Sequence, residues 1–387
     1  MMSALLRSIL TPAALVRLAI GWATFLAVLA AGSLLEPPVT GPLLIGALLV
    51  IIAVILVCAF GVVGEAEHLA RRLGDPYGSL VLTLSIVAIE VILISAVMLG
   101  PGEHTTIARD SVMAVSMIIL NLVIGLSLLV GGLKHGGLRH NRTGTSAYLA
   151  MIVVLTALAF ALPAVIGRSG SYTPSQELPV VLLTVAAYAF FLYRQMGAQA
   201  DDFREVDARV SGSTAESTGT MPATGTSPAI TQVLAEHRRE VLLRIGLLIA
   251  TVLPIVLLSH HMAALLDDGL GRLGAPVALS GILIAMIVFL PESITSLRAA
   301  LGGEIQRVSN LCHGALVSTV GLTIPAVLVI GFLTDQQVVL AESPANLLLL
   351  GVTLLLTVST FAAKKVTATH GAAHLVVFAV YGLAVFS

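Results

Sequence analysis

The chain has 387 residues, 57% of them hydrophobic and 11% charged, with a mean hydropathy of +1.02. A soluble domain carries about 25% charged residues, so this composition excludes one and defines a polytopic membrane protein whose first partner is the lipid bilayer. The net charge of −1 points to no nucleic-acid or acidic partner, and the two cysteines, Cys58 and Cys312, both lie in apolar runs and imply no disulfide framework.

Few aromatics among long aliphatic runs favour helices over the short alternating segments of a transmembrane barrel. About 20 apolar residues cross the hydrocarbon core as a helix. Along the chain this predicts eleven spans, near 14–35, 42–61, 78–99, 111–132, 147–166, 179–194, 241–259, 276–297, 308–332, 345–362 and 372–386. Arg7 and Arg17 precede the first, and "LAAGS" near its end resembles a signal cleavage site. Its apolar stretch is longer than a signal core, so residues 1–37 are read as a retained transmembrane helix.

Basic residues orient the spans. With a cytoplasmic N-terminus, the N-terminal segment and the loops after even-numbered spans hold seventeen of the twenty Lys and Arg residues. Only Arg109, Arg168 and Arg272 fall on the other side. Cytoplasmic loops retain Lys and Arg, so the asymmetry supports both the count and an external C-terminus, in a bacterial-type cytoplasmic membrane.

Residues 195–238 interrupt the pattern. "AQADDFREVDARV" is charged, with Asp201, Asp202, Glu205 and Asp207 read as solvated, and "SGSTAESTGTMPATGTSP" cannot bury a core. This flexible cytoplasmic linker separates a five-span unit at 38–194 from another at 239–387. A duplicated unit with an odd number of spans must be inverted in its second copy, as in many secondary transporters. The second spans of the two units, "YGSLVLTLSIVAIEVILIS" and "VALSGILIAMIVFLPESITS", carry Glu90 and Glu292. The spans that follow carry Asn121 in one unit and Ser318 and Thr319 in the other. The fold class expected is therefore all-α, with two inverted five-helix repeats behind an N-terminal helix.

Glu90 is the sole ionisable residue between Leu80 and Gly100, and Glu292 between Val277 and Leu297. Glu90 sits about 15 Å into its helix, near the midplane. An ionised carboxylate there costs a few kcal/mol unless it is protonated, paired or bound to a metal ion. No span offers a Lys or Arg at that depth, which leaves a cation or a proton. Two glutamates meeting at the repeat axis suit a hard cation such as Ca²⁺, which takes oxygen ligands. Pro291 has no N–H and its ring clashes with the Ile287 carbonyl, freeing that oxygen as a supporting ligand. Ser293, Thr295 and Ser296 add hydroxyls, and Asn121, Ser318 and Thr319 supply oxygens from the next spans. Each also has a structural reading: a protonated interhelical glutamate, a packing kink, hydroxyls at close helix contacts.

Glu65, Glu67 and His68, before the third span, either guard a cytoplasmic entrance and relay protons or form an amphipathic interfacial turn. His313 reads as a core histidine, with a proton relay as the alternative. His260, His261, Asp267 and Asp268 are assigned to an external loop. There is no HExxH, P-loop or GxSxG motif, and no catalytic residue or resident cofactor is expected.

These residues resemble a known family. "AEHLARRLGDPYGSLVLTLSIVAIEV", "VFLPESITSLRAAL" and "STVGLTIPAV" are similar to the cation/calcium exchanger superfamily, and within it to bacterial calcium(sodium)/proton antiporters of the ChaA type. The resemblance implies that Glu90 and Glu292 bind cation and protons at the centre of two α-repeats. It departs at Ile86–Glu90 and Val288–Glu292, where many calcium/proton exchangers have Gly-Asn-Ala before a hydrophobic residue and Glu. The Pro291–Glu292 step is instead like that of sodium/calcium exchangers. The expected activity is antiport of cytoplasmic Ca²⁺ for external H⁺. Na⁺/H⁺ or mixed exchange is the rival, and a passive cation channel the alternative from another class.

Overall fold

The computed structural model describes residues 9–73, 84, 87–88, 90–92, 94–95, 98, 105–205, 230–275 and 278–386. Among these the secondary structure is helical except for two isolated β-bridges, Leu138 with Val366 and Arg168 with Ser171. The protein is an all-α polytopic membrane protein. The first helices are α1 (Pro12–Ala31), α2 (Gly41–Leu73), α3 (Ile107–His135), α4 (Arg142–Ile166) and α5 (Pro174–Met196). There follow α6 (Ile230–Arg272), α7 (Ala278–Gly302), α8 (Ile305–Thr334), α9 (Pro344–Ala362) and α10 (Ala368–Val385). Nine are long and apolar enough to cross a bilayer, and the bent α7 makes a tenth among the described residues. The third expected span, 78–99, lies largely outside them; Glu90 is described, in helical backbone.

Local chemistry sets the helix starts. Thr11–Pro12, Thr173–Pro174 and Ser343–Pro344 each put a hydroxyl at the N-cap and a proline at the first helical position, where a missing N–H costs nothing. Asn141 caps α4 through the amides of Thr143 and Gly144. Three boundaries differ from expectation. α2 continues through Glu65, Glu67 and His68, because "EAEHLARRL" contains no Gly or Pro before Gly74; these residues lie on helix, not in a turn. α6 extends at both ends, so 230–238 are helical rather than linker, and His260, His261, Asp267 and Asp268 lie on helix rather than in a loop. Residues 195–205 are folded as well. Phe203 is buried against Tyr148 and Phe191, Asn310 donates to its carbonyl at 2.6 Å, and Glu205 accepts from the amide of Arg307 at 3.1 Å. The remainder of the expected linker, 206–229 with Asp207, lies outside the described residues.

α3 and α8 are the enclosed helices, 83% and 67% buried over their apolar windows against 11% for α1. Helix contacts come in reciprocal pairs: α2 with α6, α4 with α9, α3 with α10 as α8 with α5, and α8 with α4 as α3 with α9. Exchange of the helices of 38–194 with those of 239–387 maps this set onto itself. α1 joins the α2–α6 pair, with Trp22 Nε1 donating to the Ala250 carbonyl at 3.1 Å. One end of that pair is held by Arg244, 2.7 Å from Glu65 and 3.3 Å from Glu240. At the other end Asp268 accepts from the Val39 amide at 2.9 Å and pairs with Arg272, which also donates to the Val39 carbonyl.

α3 and α10 meet through glycines. A Cβ on Gly132 would collide with the backbone at Thr367 and Ala368, and one on Gly371 with the backbone at Leu129 and Gly125. Small residues permit such approach in membranes, where packing drives helix association. Gly371→Leu is expected to destabilise the protein by at least about 1–3 kcal/mol, seen as a lower thermal midpoint in detergent. Gly246→Leu, on a face with nothing within 4 Å, should leave the midpoint unchanged.

Glu342, in the loop before α9, has a side chain only 2% exposed. Its Oε2 accepts from the Ser343 amide at 3.0 Å and Asn346 Nδ2 at 2.9 Å, while Oε1 faces Arg109 Nε at 3.9 Å. Burial raises its carboxyl pKa above 4.5; the bonds from Asn346 and Ser343 and the Arg109 charge oppose this, and Asp110 adds to it. A carboxyl raised on folding contributes stability that is complete below the unfolded value and lost as pH climbs through the folded one. Glu342→Gln should therefore raise the thermal midpoint near neutral pH, with the gain vanishing below about pH 4.5, as read by intrinsic fluorescence.

Candidate cation site

α7 bends by 52° between Gly281–Ile287 and Phe289–Gly302. Pro291 lies four residues beyond Ile287 and denies its carbonyl a helical donor, so the break falls where the sequence puts the missing bond. Glu292 follows the bend and is 5% exposed; Glu90 is also 5% exposed. Thr319 Oγ1, from α8, donates to Glu90 Oε2 at 2.6 Å. Both carboxyl groups lie against α8, where Thr319 bonds Glu90 and Cys312 shares the cavity of Glu292. Among the described residues neither makes an ion pair, and Oε1 of each is buried without a hydrogen-bond partner. A buried polar atom left unpaired costs about 1–3 kcal/mol, more if charged, so the pair has an unmet demand for protons or a cation.

Beside Glu292 is a small cavity, with about 10 Å³ open to the centre of a water-sized sphere, the room of about one water. Ser293, Ser296 and Cys312 line it with Glu292, and Ile119, Val123 and Phe289 add apolar walls. Cys312 Sγ donates to Ser296 Oγ at 3.6 Å.

The other expected residues divide into two groups. Ser293 and Thr295 donate to the Phe289 and Pro291 carbonyls at 2.8 and 3.0 Å, which leaves their oxygen lone pairs free to accept. Ser318 is buried and accepts from the Tyr188 hydroxyl at 2.9 Å. Asn121 makes no hydrogen bond to either carboxylate among the described residues. It sits in a π-helical turn, Ile118–Val123, whose Ile119 and Val123 face the cavity, so Asn121 lies on the opposite side. Its Nδ2 donates to Thr353 Oγ1 at 2.9 Å, and its Oδ1 is 3.3 Å from His374 Nδ1. His313 is fully buried with Nδ1 2.9 Å from Ser309 Oγ, itself 3.2 Å from Thr145 Oγ1, and its ring packs on Phe361. No hydrogen bond joins His313 to either glutamate among the described residues. Glu65 is tied to Arg244, and His68 is exposed on α2. The side chain of Glu67 lies outside the described residues.

Sequence reading missed Cys312 as a cavity wall, and the polar set around Asn121. Thr353, Thr357 and Thr360 recur at helical spacing on one face of α9, and all are fully buried; that stripe was the available signal.

The membrane-spanning helices thus enclose two buried acidic groups that no basic side chain pairs among the described residues. Residues 43–197 and 243–387 match the family described as sodium/calcium exchanger protein, and the chain belongs to that family. It is 34% identical over 325 residues, 83% of each chain, to a putative ionic transporter, y4hA, of Sinorhizobium fredii. It is 31% identical over 348 residues, 90% of this chain and 91% of the other, to the sodium-potassium/proton antiporter ChaA of Escherichia coli. The H⁺/Ca²⁺ exchanger CAX shares the fold, with a TM-score of 0.64 at 16% identity over 96% of this chain and 89% of that one. Native YfkE does so with 0.61 at 13% identity, over 96% and 99%.

Thr319→Val keeps the shape of the side chain and removes the donor to Glu90. Losing that buried bond should cost about 1–2 kcal/mol, a five- to thirty-fold rise in the KM for transported cation. A KM equal to wild type would show that the bond does not orient Glu90.

Proposed function

We propose that the protein is a proton-coupled cation antiporter in which Glu90 and Glu292 bind either the cation or protons. The reading is carried by one observation: two buried carboxyl groups, each with an oxygen that has no protein partner among the described residues. Protons neutralise such a pair, and so does a cation, but both cannot occupy it together. A carrier that changes access only when the site is neutral exchanges one for the other. Spans 2–6 and 7–11 act as inverted repeats that present the site to either face, with the N-terminus cytoplasmic and cytoplasmic cation leaving as external protons enter.

Na⁺ or K⁺ is the cargo favoured first. Among the described residues the donor set is lean: Asn121 is bonded to Thr353 and His374, and a thiol takes part of the cavity wall. Ca²⁺ takes six to eight oxygens. The name of the Escherichia coli relative, at 31% identity, supports the same choice. Ca²⁺/H⁺ exchange is the second reading, favoured by the two acidic groups.

In inside-out vesicles with an acidic lumen, Na⁺, K⁺, Ca²⁺ and Mg²⁺ are added separately while lumenal pH and cation uptake are followed. Uptake of at least one cation with matching alkalinisation is expected, with an apparent cation KM that rises as the cytoplasmic-side pH falls. Glu90→Gln and Glu292→Gln should each abolish it. Cation flux that needs no opposing proton flux would make the protein a channel, and wild-type rates in either variant would remove that residue from the mechanism.

A further inference from the structure

The cavity beside Glu292 contains a donor that neither Na⁺ nor Ca²⁺ requires. Cys312 is 4% exposed on the face of α8 turned to α7, and its Sγ is 3.6 Å from Ser296 Oγ. Ser296 follows Glu292 by one helical turn, so both occupy one face of α7. All three line the same cavity, where Glu292 Oε1 has no partner among the described residues. His313, the next residue, is turned the other way, onto Ser309 and Phe361.

Hard cations take oxygen, whereas thiolate selects softer metals. We propose that this cavity is a binding site for a thiophilic divalent cation, held by the Cys312 thiolate and the Glu292 carboxylate, with the Ser296 hydroxyl as a neutral third donor. Binding breaks the Cys312 S–H bond and the O–H bond of the protonated Glu292 carboxyl group, forms a sulfur–metal and an oxygen–metal bond, and releases two protons to solvent. Thiolate and carboxylate together balance the dipositive ion, so the complex is neutral in its surroundings. The ion is held by a bond the transported cation does not make, and it blocks exchange rather than being carried. That consequence rests on the reading of Glu292 as an exchange group; the metal site itself rests on the cavity alone.

Cys58 is the other cysteine. It is buried on α2 with its Sγ 3.7 Å from the Arg17 carbonyl, so Cys58→Ala isolates the site. Cd²⁺ is titrated into the purified full-length Cys58→Ala protein, following thiolate-to-cadmium charge-transfer absorption. One Cd²⁺ per chain is expected to bind with that absorption. Cys312→Ser in the same background, or alkylation of Cys312 beforehand, should abolish it, and Glu292→Gln should weaken binding at least tenfold. In vesicles, Cd²⁺ should inhibit wild-type exchange at concentrations at least tenfold lower than those needed for Cys312→Ser. No absorption in Cys58→Ala, or absorption that survives both Cys312→Ser and alkylation, overturns the site. Absorption without cation exchange in any vesicle assay would leave the metal site standing and remove the antiport reading.

Discussion

A carboxylate in hydrocarbon, with no cationic side chain to meet it among the described residues, governs this structure. Glu90 and Glu292 supply two of them, each nearly closed off from solvent and each with an oxygen lacking a protein partner. In water such groups would be unremarkable; at bilayer depth they persist only when neutralised. The surrounding helices keep that demand alive rather than satisfy it. Thr319 fixes one oxygen of Glu90 and leaves the other open. Pro291 breaks α7 just ahead of Glu292. Beside Glu292 the enclosed helices α3 and α8 add mainly apolar side chains, Ile119, Val123, Leu311 and Ala315.

Much of the architecture was legible in the sequence because the bilayer imposes a strong length rule on apolar runs. Ten of the eleven expected spans coincide with helices, and the kink at Ile287 follows from Pro291 alone. The boundaries that failed did so at amphipathic ends. "GEAEHLARRL" and "ITQVLAEHRREVLLR" are too polar to count as spans, yet their residues favour helix and carry α2 and α6 beyond the apolar stretches. The folded part of the linker escaped notice because one buried aromatic, Phe203, anchors it among charged neighbours.

The site was legible in its acidic residues and much less so in its supporting groups. A lone glutamate in an apolar run announces itself through cost. A hydroxyl or amide does not, since short polar side chains satisfy themselves locally or across any nearby helix. Asn121 illustrates the limit. Its position in the repeat pointed to the carboxylates, but helical phase sets it opposite Ile119 and Val123, and Thr353 and His374 hold it there. Cys312 was invisible for the converse reason, because a thiol in an apolar run looks like packing.

The fastenings on α2 and α6 bear on mechanics. Arg244 with Glu65 holds one end of the pair, and Asp268 and Arg272 with the Val39 backbone hold the other. Two helices pinned at one end can splay like scissors; pinned at both, they resist opening and sliding alike. The pair, with α1 attached, behaves as a single stiff strut laid against the rest of the bundle. Compliance is then displaced to the joint at Ile287, where α7 has already given up the hydrogen bond that would have kept it straight.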